Sequence, residues 1–157
     1  MYMEFTHVKG EKVKMVDISD KKVVARYALA TGKIKLRPST IQAIKDGVVE
    51  KGNVLATARI ATIQAAKRTP EIIPMCHQIP ITSIDVDFEI EDLYIQATVE
   101  VKSVGKTGVE MEALHGVSVA LLTIWDMVKS AEKDETGNYP FTIIEDIYVI
   151  KKAKNEI

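Results

Sequence analysis

Two runs of alternating apolar and polar residues, separated by a very short link, constrain the fold more than any other feature of this sequence. Residues 84–90 read IDVDFEI and residues 95–101 read IQATVEV. A period of two is typical of a strand with one buried face. Because only residues 91–94 lie between the runs, with Glu91-Asp92-Leu93 as the link, the pattern predicts two antiparallel strands joined as a hairpin.

A long helix is predicted after this hairpin. Residues 107–110 read TGVE, the form of a capping box that opens a helix. Apolar residues then recur at intervals of three and four until about Lys133, which is typical of an amphipathic helix. The predicted inward stripe consists of Met111, Leu114, Ser118, Leu121, Leu122, Trp125 and Val128.

Shorter elements complete the prediction. They are a strand near residues 23–30, a helix at about 40–46 capped by Ser39 and ended by Gly47, a helix from Asn53 to Lys67 broken at Thr69-Pro70, and a last strand at 141–151. Residues 1–20 are predicted to be a flexible N-terminal arm, and residues 21–157 a single α+β domain. This element order favours a ferredoxin-like sandwich, a mainly antiparallel sheet with helices packed on one face. The other face is then left for association.

Charge and cysteine content narrow the functional class. The chain has 21 Lys and Arg against 22 Asp and Glu, a net charge of −1. This balance gives no general attraction to nucleic acid or to anionic membranes. The single cysteine excludes an intramolecular disulfide. The start of the chain lacks the apolar run of a signal peptide, so the expected location is the cytoplasm.

The most unusual local sequence is a loop between two prolines, Pro74 and Pro80, which stiffen its backbone. It presents Met75, Cys76 and His77. A lone Cys-His pair is more commonly structural, with the thiol buried and the histidine hydrogen-bonded to the backbone. A metal site is disfavoured, because none of the histidines has ligand spacing to another ligand.

A carboxylate and an ammonium share one face of the long helix, since Asp126 and Lys129 are three residues apart. An exposed ion pair of little energetic weight is the simpler interpretation, and an acid–base couple in a cleft is the alternative. Glu112 has no evident structural duty and is a functional candidate. Several cations lie along or near predicted helices, where amino termini favour anions: Lys51, Arg59, Lys67, Arg68 and Lys106.

Together these segments resemble a known family. The segments that carry the likeness are MVDIS (15–19), KGNV (51–54), ATARIA (56–61), AAKRT (65–69), MCH (75–77), KTGVEMEAL (106–114) and WDMVK (125–129). They resemble the molybdenum cofactor biosynthesis protein C family, the cyclic pyranopterin monophosphate synthases, over about residues 6–151. The resemblance implies a lyase that converts a 3′,8-cyclised dihydro-GTP into cyclic pyranopterin monophosphate and diphosphate.

The resemblance also implies roles for individual residues. Asp126, Lys129 and Lys51 match the catalytic positions. Met75, Cys76, His77, Met111 and Glu112 match substrate-binding segments, and Arg59, Lys67, Arg68 and Lys106 are expected phosphate partners. No cofactor or metal is expected, although Mg²⁺ could accompany the triphosphate. A homohexamer built as a trimer of dimers, with sites at subunit interfaces, is also implied.

Two positions depart from the family pattern. Many relatives have proline directly after the loop histidine, where this chain has Gln78. Many also end in a glycine-rich tail with an active-site lysine, where this chain has Lys151, Lys152 and Lys154.

The residues alone also allow two other classes of function. One is a non-catalytic module that binds a small molecule at an oligomer interface, as ferredoxin-like domains often do. The other is RNA binding on the sheet face. Acidic Asp85, Asp87 and Glu89 and the lack of an aromatic RNA-binding motif disfavour RNA binding.

Overall fold

A four-stranded antiparallel sheet forms the centre of the computed structural model, which describes residues 8–10 and 12–157. The strand order is β4-β5-β3-β6. Two short strands, β1 and β2, pair separately near the N-terminus. The strands are β1 (Val8–Lys9), β2 (Lys12–Val13), β3 (Val24–Lys35), β4 (Ile81–Ile90), β5 (Tyr94–Gly105) and β6 (Ile143–Asn155).

Helices α2 and α4 pack on one face of this sheet and against each other. The helices are α1 (Pro38–Asp46), α2 (Val54–Lys67), α3 (Thr69–Ile72) and α4 (Glu110–Glu132). The main elements follow the order β3-α2-β4-β5-α4-β6. With the strand order above, this is the βαββαβ ferredoxin-like plan, so the predicted fold class is confirmed.

The predicted hairpin is confirmed and supplies much of the core. Val86 pairs with Val99, and Ile84 with Val101, so the apolar positions of β4 and β5 share one face. Val99 and Val101 are fully buried, whereas the acidic positions of β4 are exposed on the opposite face. The period of two therefore placed each side chain on the correct face.

The predicted inward stripe of α4 was correct only in part, because Leu121 and Val128 are buried but two other members are exposed. Met111 is 40% exposed and Leu122 58% exposed. The buried face is built largely from Ala113, Gly116, Val117, Ala120 and Ile124. Small residues let the helix approach its neighbours closely. A Cβ added at Gly116 would lie 3.2 Å from Thr62 Cγ2 on α2 and 3.3 Å from Val99 Cγ1 on β5.

Both predicted capping boxes were also wrong, while the Asn53 cap and the Gly47 stop are confirmed. Asn53 Oδ1 accepts from the Ala56 amide at 2.9 Å, and Gly47 has φ 68° in the left-handed region. In contrast, α1 begins after Arg37 and α4 after Val109, and neither residue makes a side-chain cap. Glu110 instead accepts from Lys152 Nζ at 2.8 Å.

Glu132, which is far from α1 in the sequence, caps the amino terminus of that helix. Its carboxylate, fully buried in the last turn of α4, accepts from the Arg37 backbone N–H at 2.8 Å. It also lies 3.5 Å from Arg37 Nε. A carboxylate is favourable at this position because helix amino termini carry partial positive charge. One buried acid thus joins the end of α4 to the start of α1.

Glu132→Ala is expected to destabilise the fold by about 2–4 kcal/mol, because it removes the partner of a buried N–H and of a cation. Urea unfolding followed by circular dichroism would measure the change. Glu135→Ala, at an exposed site three residues later, should change stability by less than about 0.5 kcal/mol. Equal stability of the two variants would contradict the capping role.

Helix α4 also has the length and hydropathy of a membrane span. Within the part of the chain that the structure describes, it is the one helix that does, and 50% of that apolar window is buried inside the fold. Its apolar composition reflects its position in the core.

Candidate functional site

The three residues matched to catalytic positions lie together near the carboxyl end of α4. Lys51 Nζ donates to Asp126 Oδ2 at 2.9 Å and to the Asp126 carbonyl oxygen at 2.9 Å. Lys129 Nζ lies 3.0 Å from Asp126 Oδ1. Gly52, with φ 104°, turns the chain directly after Lys51. This arrangement is called the Asp126 cluster below.

The Asp126 cluster carries a net positive charge, from two lysines and one aspartate. Hydrogen bonds from Lys51 and then Lys129 lower the pKa of Asp126, and the hydrogen bond with Asp126 raises the pKa of Lys129. All three side chains are half-exposed, between 44% and 57%. The cluster therefore presents one ionised carboxylate and two ammonium groups to solvent, which suits an incoming anion.

A pocket of about 350 Å³ lies at the opposite end of α4. It is lined by residues of the N-terminal arm, of the loop between α3 and β4, and of the start of α4. These are Val16, Ile18, Lys21, Met75, Cys76, His77, Ile79, Thr107, Gly108, Glu110, Met111 and Glu112. This front pocket gathers every residue that was matched to the substrate-binding segments.

The N-terminal arm forms one wall of the front pocket through two hydrogen bonds. His77 Nε2 lies 2.7 Å from the Val16 carbonyl oxygen, so that nitrogen carries the proton and donates. Lys106 Nζ donates to the Ser19 carbonyl oxygen at 2.7 Å. The prediction of a flexible arm over residues 1–20 stays a prediction, and its first seven residues and Glu11 lie outside the described residues.

Glu112 is the most unusual ionisable group of the front pocket. Glu112 is 2% exposed, and its Oε1 atom has no hydrogen-bond partner among residues 8–10 and 12–157. Burial raises the pKa of Glu112 to about 7. Burial, and secondarily the charge of Glu112, also raises the pKa of the Cys76 thiol. The pocket thus combines a neutral thiol with a carboxyl that can hold or release a proton near neutral pH.

The raised pKa of Glu112 predicts a pH-dependent stability. Between pH 4.5, its ordinary pKa, and about 7, the folded chain binds more protons than the unfolded chain, so stability falls as pH rises. Glu112→Gln removes this penalty. The advantage of Glu112→Gln over the wild-type chain should grow across that range to about 3 kcal/mol. Thermal unfolding at several pH values measures it, and a constant difference would contradict the shifted pKa.

Basic residues that sequence reasoning missed lie beside the front pocket. A pocket of about 400 Å³ is lined by Lys21, Lys22, Arg26 and Lys154, with Glu156 as the one acid. A neighbouring pocket of about 310 Å³ shares Arg26 and Lys154 with it and shares Gly108 and Glu110 with the front pocket. Strand register explains this grouping, because Arg26 on β3 pairs with Lys154 on β6. This surface is called the basic shelf below.

The four expected phosphate partners are dispersed. Lys106 lies beside the front pocket and holds the arm. Lys67 lines a different pocket of about 210 Å³ that Glu112 also lines. Arg59 donates to the Val86 carbonyl oxygen and lies 5.6 Å from the Phe88 ring centroid, so it packs on β4. Arg68 is exposed at the end of α2.

No metal centre is evident in the described residues. Across residues 8–10 and 12–157, no group of three or more His, Cys, Asp or Glu is placed to hold a metal ion. The expectation of a metal-free protein stays a prediction, because Mg²⁺ bound through substrate phosphates needs few protein ligands.

Comparison with known proteins identifies the family. The family model described as "MoaC family" matches residues 15–155. A relative from Methanococcoides burtonii, named "Probable cyclic pyranopterin monophosphate synthase", is 69% identical and covers 98% of this chain and 97% of its own length. Relatives with the same name from Methanosarcina mazei and Thermococcus kodakarensis are 62% and 61% identical, and each match covers at least 98% of both chains. The chain therefore belongs to the MoaC family.

Proposed function

We propose that this chain is a cyclic pyranopterin monophosphate synthase of molybdenum cofactor biosynthesis, acting in the cytoplasm as a phosphorus–oxygen lyase. Its substrate is 3′,8-cyclo-7,8-dihydro-GTP, and its products are cyclic pyranopterin monophosphate and diphosphate. The relatives described above bear the name of this activity. The observation that carries the proposal is the ionised Asp126 held between Lys51 and Lys129.

The Asp126 cluster supplies the groups that this reaction needs. Opening the purine five-membered ring and forming the pterin require proton transfers, and loss of diphosphate develops negative charge on the leaving group. The hydrogen bonds that lower the pKa of Asp126 keep it ionised, so it can accept a proton once those bonds are released. Lys51 and Lys129 can stabilise phosphate charge and, once they contact an anion, release Asp126 from its resting ion pairs.

The front pocket and the basic shelf suit the two ends of the substrate. The front pocket combines apolar walls with His77, Cys76 and Glu112, which suits a heterocycle with donors and acceptors at its edge. The basic shelf continues from that pocket through Arg26 and Lys154 and suits the triphosphate. We assign the triphosphate to this shelf rather than to Arg59 and Arg68.

A second copy of the chain is needed to complete this site. Glu112 is in the first turn of α4 and Asp126 near its end, about 21 Å apart along the helix axis at about 1.5 Å per residue. The substrate is too small to bridge that separation and also reach the basic shelf. A dimer that places the Asp126 cluster of one copy over the front pocket of another unites the two parts, and three such dimers form the proposed hexamer.

Diphosphate release tests the proposed activity directly. The purified chain is incubated with 3′,8-cyclo-7,8-dihydro-GTP, and diphosphate and pterin fluorescence are followed together. Stoichiometric appearance of both is expected. Tight binding of the substrate without diphosphate release would instead establish the non-catalytic binding module.

A further inference from the structure

Glu112 lines two separate pockets. On one side is the front pocket, and on the other is the pocket of about 210 Å³ lined in part by Lys67, Glu71 and Gln78, called the rear pocket here. Ile79 and Glu112 are the two residues that line both. Lys67, Glu71 and Gln78 are all exposed, so the rear pocket is open to water through its own residues.

The buried carboxyl is only partly satisfied by the protein, since the Glu112 backbone N–H bonds to it while Oε1 is left without a partner among the described residues. Glu112 Oε1 is buried and has no hydrogen-bond partner in the described residues, and an unsatisfied buried oxygen is costly unless something binds it. The adjacent rear pocket is large enough for several water molecules. A water there can hydrogen-bond the carboxyl while a ligand fills the front pocket.

We infer that Glu112 is a proton relay, which exchanges its proton with water through the rear pocket and with the ligand in the front pocket. This inference rests on the proposed function only for the identity of that ligand. In the forward direction the Glu112 O–H bond breaks as its proton passes to a basic nitrogen or oxygen of the ligand. A hydronium proton delivered through the rear pocket then restores the carboxyl. In the reverse direction the same atoms carry a proton out.

The surroundings of Glu112 allow its carboxyl to gain and lose a proton. The charged and titratable groups facing it are Lys21, Cys76, His77 and Glu110 around the front pocket, and Lys67 and Glu71 around the rear pocket. Lys67 and Glu71 oppose one another in sign, so the rear pocket favours neither form strongly. The raised pKa of Glu112, about 7, lets both forms be populated at neutral pH.

Gln78 gives the rear pocket a polar wall. Its side chain contributes an amide donor and acceptor there. A chain of water molecules can continue through such a side chain. Because Gln78 is exposed, it can also be enlarged without changing the core.

Hydrogen–deuterium exchange of the Glu112 carboxyl tests the relay without substrate. The band of the protonated carboxyl is assigned by comparing infrared spectra of the wild-type chain and Glu112→Gln at pH 5.5. Each intact protein is then mixed into deuterated buffer, and the shift of that band is timed. Met111→Trp narrows the front pocket, Gln78→Trp narrows the rear pocket, and Gln64→Trp on the exposed face of α2 is the matched control.

Exchange through two routes predicts a specific pattern. Met111→Trp alone should exchange within about twofold of the wild-type rate, because the rear pocket stays open. Met111→Trp with Gln78→Trp should slow exchange at least about tenfold, whereas Met111→Trp with Gln64→Trp should not. Glu71→Trp should act like Gln78→Trp, which guards against a local distortion of the loop.

Two results would overturn the relay. Met111→Trp alone could slow exchange as much as the double variant, which would make the front pocket the sole route. The double variant could instead exchange as fast as the wild-type chain, so that neither pocket carries the proton. Since no substrate is used, these results are independent of the diphosphate assay, and failure of either proposal is distinguishable.

Discussion

Asp126→Asn is expected to abolish most turnover, by about a hundredfold to ten-thousandfold, while leaving the fold intact. Asparagine has the size of aspartate and keeps an oxygen that Lys51 can donate to, but it can neither accept a proton nor carry a charge. Because the Asp126 side chain is 57% exposed, loss of its ion pairs should change stability little. The measurement is diphosphate release per site, with circular dichroism as the check on folding.

Asp87→Asn is the matched control for this experiment. Asp87 is an exposed acid on β4, on the face of the sheet away from the helices. The substitution makes the same chemical change and should leave turnover near that of the wild-type chain. Near-normal diphosphate release by Asp126→Asn, or an equal loss in both variants, would remove Asp126 from the mechanism.

Local sequence patterns predicted the strands and helices of this fold well where the spacing of apolar residues follows which side chains are buried. The alternation in residues 84–101 predicted the hairpin because each side chain of a strand must face either core or solvent. The same logic succeeded only in part in α4, where small residues such as Ala113, Gly116 and Ala120 share the buried face with larger ones. Hydrophobic periodicity weights large side chains, whereas close helix packing here depends on small ones.

The two predicted capping boxes were wrong because tertiary partners replaced local ones, although the Asn53 cap was correct. Ser39 and Thr107 begin sequences that fit capping boxes, yet neither caps a helix in the structure. The cap of α1 comes from Glu132, 95 positions away in the chain. Glu110 pairs with Lys152 on β6. A buried carboxylate delivered by the fold can satisfy the same N–H groups as a local hydroxyl.

The candidate site was predictable only in part for the same reason. The pairing of Asp126 with Lys129 follows from helical spacing, but the contact between Lys51 and Asp126 spans 75 positions. Family resemblance, not periodicity, linked those two residues. Lys154 was considered as a tail lysine, but the basic shelf was not predicted as a group. Arg26 and Lys154 meet through the β3–β6 register, which no local pattern specifies.

The interface model makes a second prediction with a large effect: two inactive variants should complement one another. Asp126→Asn disables the Asp126 cluster, and Met111→Trp blocks the front pocket. If each site takes its cluster from one copy and its pocket from another, a mixed dimer has one site with both defects and one with none. In a hexamer with random pairing one site in four is intact, so co-expressed variants should recover about a quarter of wild-type turnover, whereas isolated mixed dimers should recover about half. Differently tagged chains, purified through both tags in turn, allow diphosphate release by mixed assemblies to be measured.

The control pair places both defects in the same part of the site. Asp126→Asn mixed with Lys129→Met leaves every cluster damaged, because each copy carries one of the two changes, so no activity should return. A site contained within one chain gives a different outcome. Each copy would then hold its own defect, and Asp126→Asn with Met111→Trp would remain as inactive as the separate variants. Recovery in the first mixture and not in the second therefore requires that opposite ends of α4 from two copies meet at one site. Such a meeting is expected because the two ends are about 21 Å apart within one chain, too far for a substrate of this size.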